Sequence, residues 1–137
     1  MEKALKGIKI LDMSRVQAGP SCAQLLAFLG ADVIKIEDVN GGDRTRWEMA
    51  TREGVDSVYY TIFNNNKRAI TLNLKTERGR HLMNGLVRWA DVLLENFSKG
   101  VMERLGLGYS DLKQLNTRIV HASIKGFGEW GPYSDYK

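Results

Sequence analysis

Two short apolar runs, joined by one amphipathic segment, constrain the fold of this chain more than any other feature. The runs cover residues 8–13 and 32–37 and have the length and composition of buried strands. Between them, apolar residues recur at helical spacing as far as Gly30, which stands where a glycine commonly ends a helix. Strands joined by so short a helical crossover run parallel, and the crossover is right-handed. The first 37 residues therefore predict a βαβ unit.

The rest of the chain repeats this alternation. Three more strands are predicted at residues 68–74, 91–95 and 119–124, and a long helix at residues 77–89 with Thr76 as its N-cap. Shorter helices are predicted within residues 55–63, 101–105 and 110–115, and the polar residues 38–54 are predicted to leave the sheet and return. The predicted fold class is α/β, with one Rossmann-like, doubly wound domain over residues 1–137. Its sheet is expected to be mainly parallel, with helices on both faces.

Composition and charge exclude several classes of protein. The formal net charge of +4 mildly favours an anionic ligand, but the Lys and Arg residues are spread along the chain, so no nucleic-acid partner is predicted. No signal peptide is seen and no stretch approaches 18 uninterrupted apolar residues, so we predict no association with a membrane. A single cysteine, Cys22, favours a reducing, cytoplasmic location.

The loop between the first strand and the first helix is the first candidate site. Gly19 permits a tight turn with close backbone approach, and Pro20 suits the first turn of a helix. The N–H groups at such a helix start attract anions. Gln17 stands at the end of a buried strand, where its carboxamide can donate to a thioester oxygen that becomes negative during reaction. The alternatives are that Gln17 bonds to neighbouring backbone and that the glycine and proline serve the turn alone.

A dinucleotide site is the competing interpretation of the same loop. Glu37 ends the second strand at about the distance expected of an acid that binds a ribose. The pattern Gly-x-Gly-x-x-Gly is absent, however, because this loop has one glycine where three are needed. The sequence therefore disfavours NAD or FAD.

Other strand ends carry aromatic, amide and cationic side chains. Phe97, between Asn96 and Ser98, could pack on an adenine, and Arg104 could pair with a phosphate as a planar fork. Lys75, Lys67 and Arg68 invite the same interpretation, although each of these residues alone is more often structural or solvent-exposed. The two histidines, His81 and His121, lie far apart without cysteine partners, so no metal site is predicted.

Six phrases together give the chain its resemblance to a known family: residues 5–12, 16–20, 29–37, 66–68, 95–97 and 125–128. They resemble the N-terminal part of the class III CoA-transferase family, and the similarity runs through essentially the whole chain. Gln17 within Val-Gln-Ala-Gly-Pro is most similar to the formyl-CoA:oxalate branch.

The resemblance implies coenzyme A, as acyl-CoA substrate, and small carboxylates as ligands, with no metal. The oxalate enzymes tend to carry a basic residue where this chain has Asp38, and an acid there would repel a phosphate. Lys75 is then expected to carry more of the phosphate contact. The implied CoA contacts are Gln17, Ala18, Asp38, Leu72, Asn73, Leu74, Lys75, Asn96, Phe97, Ser98, Arg104 and Lys137.

The resemblance also implies a reaction, the transfer of CoA between carboxylic acids such as formate and oxalate through a covalent aspartyl intermediate. The nucleophilic aspartate, a later glycine-rich loop and a small second domain are expected beyond residue 137. The chain is thus expected to be the N-terminal part of an enzyme that forms interlocked homodimers, and to be inactive alone. Two alternatives remain, a 2-methylacyl-CoA racemase of the same family and a CoA-binding fragment without activity.

Overall fold

The computed structural model describes residues 2–136. Within them lie five strands, β1 (Lys9–Asp12), β2 (Asp32–Glu37), β3 (Arg68–Thr71), β4 (Val92–Glu95) and β5 (Val120–Ser123). The helices of the same residues are α1 (Ala18–Phe28), α2 (Thr45–Glu48), α3 (Val58–Asn64), α4 (Glu77–Trp89), α5 (Val101–Arg104) and α6 (Tyr109–Leu115). No helix among the described residues is long and apolar enough to cross a membrane.

The five strands form one sheet in the order β3-β2-β1-β4-β5, and every pair of neighbours is parallel. This result confirms the predicted α/β fold class. The chain moves outward from β1 through β2 to β3 and then returns to place β4 on the other side of β1. A topological switch point therefore lies between β1 and β4. In open parallel sheets, ligands bind at this point, outside the carboxyl ends of the strands.

The sheet has helices on both faces because side chains alternate along each strand. Ile10 packs in a core with Ala23 and Ala27 of α1. The next residue, Leu11, packs in a second core that includes Met83 and Val87 of α4. The doubly wound arrangement that the sequence predicts is thus confirmed.

One strand boundary and one additional helix differ from the prediction in ways that shape the site. The third strand ends at Thr71 rather than Leu74, because Asn73 begins a turn in which its Oδ1 accepts from the backbone N–H of Lys75 at 3.0 Å. The polar residues 38–54 contain α2, a short helix that the sequence pattern did not indicate. The predicted N-cap is confirmed, since the Thr76 side chain accepts from the Gly79 N–H at 3.1 Å.

Candidate functional site

One side chain bridges the switch point. Asn96 follows β4, and its Nδ2 donates to the backbone carbonyl of Arg15, which follows β1, at 2.8 Å. Its Oδ1 accepts from the backbone N–H of the same residue, also at 2.8 Å. The carboxamide is therefore engaged by the protein itself. The predicted CoA contact Asn96 holds two loops together across the crevice.

A cavity of about 350 Å³ opens at the carboxyl edge of the sheet. Six apolar side chains form part of its wall: Met13, Ile36, Leu72, Leu74, Val101 and Leu105. Around them lie two cations, Arg15 and Lys75, and the carboxylates of Glu37 and Asp38. The cavity thus combines an apolar wall with a charged surround.

The cavity brings together seven of the predicted contacts: Asp38, Leu72, Asn73, Leu74, Lys75, Phe97 and Ser98. Gln17, Ala18, Asn96 and Arg104 do not line it, and Lys137 lies outside the described residues. Arg104 is exposed at the end of α5. Within residues 2–136, the predicted set is thus divided between those that line the cavity and those that do not.

Gln17 stands exposed immediately before α1, next to Ala18, the first residue of that helix. The hydroxyl of Tyr59, on α3, donates to the Gln17 Oε1 at 3.1 Å. With its oxygen held in this way, the carboxamide presents its NH2 group as a donor, and within residues 2–136 that group makes no hydrogen bond. Tyr59 was missed by sequence reasoning, because nothing local to it indicates a contact 42 residues away.

The backbone of the same loop is unusual. Val16 has a φ of 68°, in the left-handed region that β-branched residues rarely adopt. Its N–H donates to the Asp43 Oδ2 at 3.1 Å. Gly19 permits close approach, as predicted, since a Cβ built there would lie 2.1 Å from the Cβ of Ser14. The left-handed turn, however, is made by Val16 and not by the glycine.

A buried ion pair lies beneath this loop. The Nζ of Lys67 lies 2.8 Å from the Asp12 Oδ2, and both side chains are almost completely buried. Lys67 also donates to the carbonyl of Pro20 and to the Asn64 Oδ1, each at 2.9 Å. The Asp12 Oδ1 accepts from both the N–H and the hydroxyl of Ser14. Lys67, considered above as a phosphate contact, is thus engaged in the protein interior.

A second buried pair supports the loop from the other side. Lys35 donates to the Ser14 carbonyl at 2.8 Å, and its Nζ lies 3.2 Å from the Asp43 Oδ2. Asp43 belongs to the polar segment that was predicted simply to leave the sheet and return. Because buried charges persist only when paired and hydrogen-bonded, these contacts fix the loop that carries Gln17.

The charge states of these groups follow from their surroundings. Burial alone would raise the pKa of Asp43, but the charge of Lys35 and hydrogen bonds from Thr45 and Val16 bring it below the usual value. Burial likewise acts to raise the pKa of Glu37, and the Arg46 guanidinium and the Asp43 N–H lower it. Both groups are therefore carboxylates at neutral pH.

The charge of Lys67 follows from two opposing effects. Burial lowers the pKa of Lys67, and the attraction of Asp12 opposes that effect. The net shift is downward from the ordinary value, so burial is the larger of the two.

A fourth buried carboxylate fixes the turn after β4. Glu95 accepts from the Phe97 N–H at 2.6 Å and from the Lys125 Nζ at 2.8 Å. Lys125 also donates to the Phe97 carbonyl at 2.6 Å. Both backbone groups of Phe97 are thereby held, which sets the position of its ring at the cavity wall. No group of three or more His, Cys, Asp or Glu residues within 2–136 is arranged to hold a metal ion.

The chain is similar to known proteins along its whole length. A family model described as CoA-transferase family III matches residues 5–137. The formyl-CoA:oxalate CoA-transferase of Streptomyces avermitilis is 53% identical over 137 residues, which are 100% of this chain and 33% of that protein. The protein of the same name from Rhodopseudomonas palustris strain TIE-1 is 49% identical, covering 100% of this chain and 32% of that protein. The chain thus spans about a third of the length of the curated relatives it matches.

Solved structures agree with these matches. A CAIB/BAIF family protein from Brucella suis superposes with a TM-score of 0.91 at 41% identity, covering 99% of this chain and 37% of that one. Rv3272 from Mycobacterium tuberculosis superposes with a TM-score of 0.86 at 36% identity, covering 97% and 37%. Because the family model matches nearly every residue, the family predicted from the sequence is confirmed: the chain belongs to CoA-transferase family III.

Proposed function

We propose that this chain supplies much of the CoA site of an enzyme that moves CoA between carboxylic acids of the formyl-CoA and oxalate type. One observation carries the proposal: an apolar cavity with cations beside it and an amide donor at Gln17 lie along the same sheet edge. Relatives about 50% identical bear the name of this activity, which favours transfer over the racemase alternative.

The cavity fits the nucleotide half of CoA. Its volume of about 350 Å³ lies at the lower end of the range for small-molecule sites, so it suits part of a large ligand. Leu72 and Leu74, which follow β3, offer apolar surface to an adenine ring. The Phe97 ring, which follows β4, lines the same cavity. Lys75 offers its charge to a phosphate. Asp38 opposes that charge, so it weakens phosphate binding on its own side of the cavity.

Gln17 would act at the other end of the ligand. When a carboxylate attacks a thioester, negative charge develops on the carbonyl oxygen, and a fixed N–H donor stabilises that charge. The Tyr59 hydroxyl and the two buried ion pairs hold the Gln17 loop before any ligand binds. The attacking carboxylate would be an aspartate supplied from outside residues 1–137. The homodimer implied by the family resemblance and the cytoplasmic location favoured by the single cysteine belong to the same proposal.

A chimaera tests this proposal. Residues 1–137 replace the corresponding third of the Streptomyces avermitilis enzyme, and transfer of CoA from formyl-CoA to oxalate is followed. We expect Gln17→Ala to lower kcat by roughly 10²-fold while KM for formyl-CoA changes little, because the lost donor acts on the transition state. Gln114→Ala, which removes an exposed glutamine from α6, is the matched control and should leave both constants unchanged.

Two results would contradict parts of the proposal. An unchanged kcat in the Gln17→Ala chimaera would show that this glutamine is structural. A chimaera that binds CoA and folds but never transfers it would favour the alternative of a CoA-binding region without activity.

A further inference from the structure

Arg15 lines the cavity but is not among the CoA contacts that the family resemblance implies. Within the described residues, its positive charge is free to bind an anion. Its guanidinium carbon lies 5.2 Å from the centroid of the Phe97 ring, and its side chain is exposed at the cavity. No carboxylate of residues 2–136 lies within 4 Å of its guanidinium, by contrast with Arg46 and Arg68, which both form ion pairs.

The backbone of Arg15 is also fixed more firmly than its exposure suggests. Asn96 holds both its N–H and its carbonyl at 2.8 Å, so the start of the side chain has a defined position. Contact with the Phe97 ring limits the directions that the guanidinium can take. A cation restrained in this way loses less entropy on binding an anion than a freely moving lysine does.

The charge balance of the cavity shows why such a cation matters. Of the two carboxylates in the lining, Glu37 is neutralised by Arg46, with Nη2 and Oε2 2.5 Å apart. The Asp38 carboxylate forms no ion pair within residues 2–136, and its one hydrogen bond there is accepted from the Asn40 N–H at 2.8 Å. The charges of Lys75 and Asp38 cancel each other. The positive charge of Arg15 therefore determines whether the cavity attracts or repels a phosphate.

We propose that Arg15 binds a phosphate group of the CoA nucleotide, in place of the basic residue that this chain lacks at position 38. The inference rests on the proposed CoA site and adds to it the residue that makes the site cationic. A planar guanidinium stacked on an aromatic ring can present two parallel N–H donors to phosphate oxygens.

Calorimetric titration of the chain, alone and within the chimaera, tests the proposal with CoA, dephospho-CoA and pantetheine as ligands. We expect Arg15→Gln to weaken CoA binding roughly 10- to 100-fold, as loss of a charged hydrogen bond does, and to reduce its salt dependence. Pantetheine has no phosphate, so its affinity should not change. Arg15→Lys should recover part of the loss, and Asp38→Asn should strengthen CoA binding.

The control is Arg118→Gln, which removes an exposed arginine from the turn before β5, at the amino end of the sheet. It should leave all three affinities unchanged. A loss in Arg15→Gln that affects CoA alone identifies the 3′-phosphate as the partner, and a loss that affects dephospho-CoA equally identifies the pyrophosphate.

Unchanged CoA affinity in Arg15→Gln would overturn this inference while leaving the proposed CoA site intact. If the unsubstituted chain and the chimaera both fail to bind CoA, the proposed function is itself overturned.

Discussion

Replacing Lys67 with Met removes the cation beneath the Gln17 loop and leaves its partner buried. The Lys67 and Asp12 side chains are 1% and 0% exposed. Methionine has a similar length and fills the space of the lysine stem, so the substitution deletes charge and hydrogen bonds with little change in volume. Asp12 keeps the two hydrogen bonds from Ser14 but loses its counter-ion, and the Pro20 carbonyl and Asn64 Oδ1 lose a donor.

We expect this single substitution to cause a large loss in the free energy of unfolding. Removing one partner of a buried ion pair destabilises a protein by about 3–5 kcal/mol, since an uncompensated charge remains inside. A domain of this kind has a total unfolding free energy of about 5–15 kcal/mol. With an m-value of about 1–3 kcal/mol/M in urea, the unfolding midpoint should fall by at least about 1 M.

Urea unfolding followed by circular dichroism measures this effect, and the neighbouring residue supplies the control. Arg68 pairs with Asp32 at 2.7 Å, but these side chains are 65% and 46% exposed. Arg68→Met should therefore cost less than about 1 kcal/mol. Adding Asp12→Asn to Lys67→Met removes the stranded charge and should recover part of the loss. If Lys67→Met costs no more than Arg68→Met, the buried pair does not stabilise the loop and the reasoning fails.

Two further predictions concern the same loop and its supports. Gly19→Ala should destabilise the chain and lower its melting temperature, because the new Cβ would meet Ser14 at 2.1 Å. Gly85→Ala in α4, where nothing lies within 4 Å, should be neutral or stabilising by up to about 1 kcal/mol, and equal melting temperatures in both variants would contradict the packing argument. Glu37 has a lowered pKa, so its contribution to stability is fully present above the ordinary carboxyl pKa and is lost as the pH falls through the lowered one. Arg46→Met should raise that pKa and move acid unfolding to higher pH; an acid midpoint that stays in place would show that Arg46 is not responsible.

The sequence predicts the sheet well because its signals are local. Buried parallel strands appear as short apolar runs and α4 as an amphipathic segment with a threonine cap, and each depends only on neighbouring residues. The sheet edge where ligands collect follows from the topology alone, so the segments around Lys75 and Phe97 could be predicted without any contact information.

The supports of the site could not be predicted in the same way. Lysine and aspartate usually lie at the protein surface and are rarely buried unless paired. The sequence therefore gives no sign that Lys35, Lys67 and Asp43 are buried. Each pair joins residues that are distant in sequence, and the β-branched Val16 gives no sign of a left-handed conformation. No local pattern distinguishes Arg15 from other exposed arginines, and only its place in the cavity does so.

The left-handed Val16 has a consequence for how a ligand would associate with this edge of the sheet. Its conformation is disfavoured by about 1–2 kcal/mol in an isolated chain and persists here because the surrounding contacts impose it. The ordering entropy of the loop is thus lost during folding rather than during ligand capture. We therefore expect association to require no rearrangement of this loop, and its rate to depend on diffusion and electrostatic attraction.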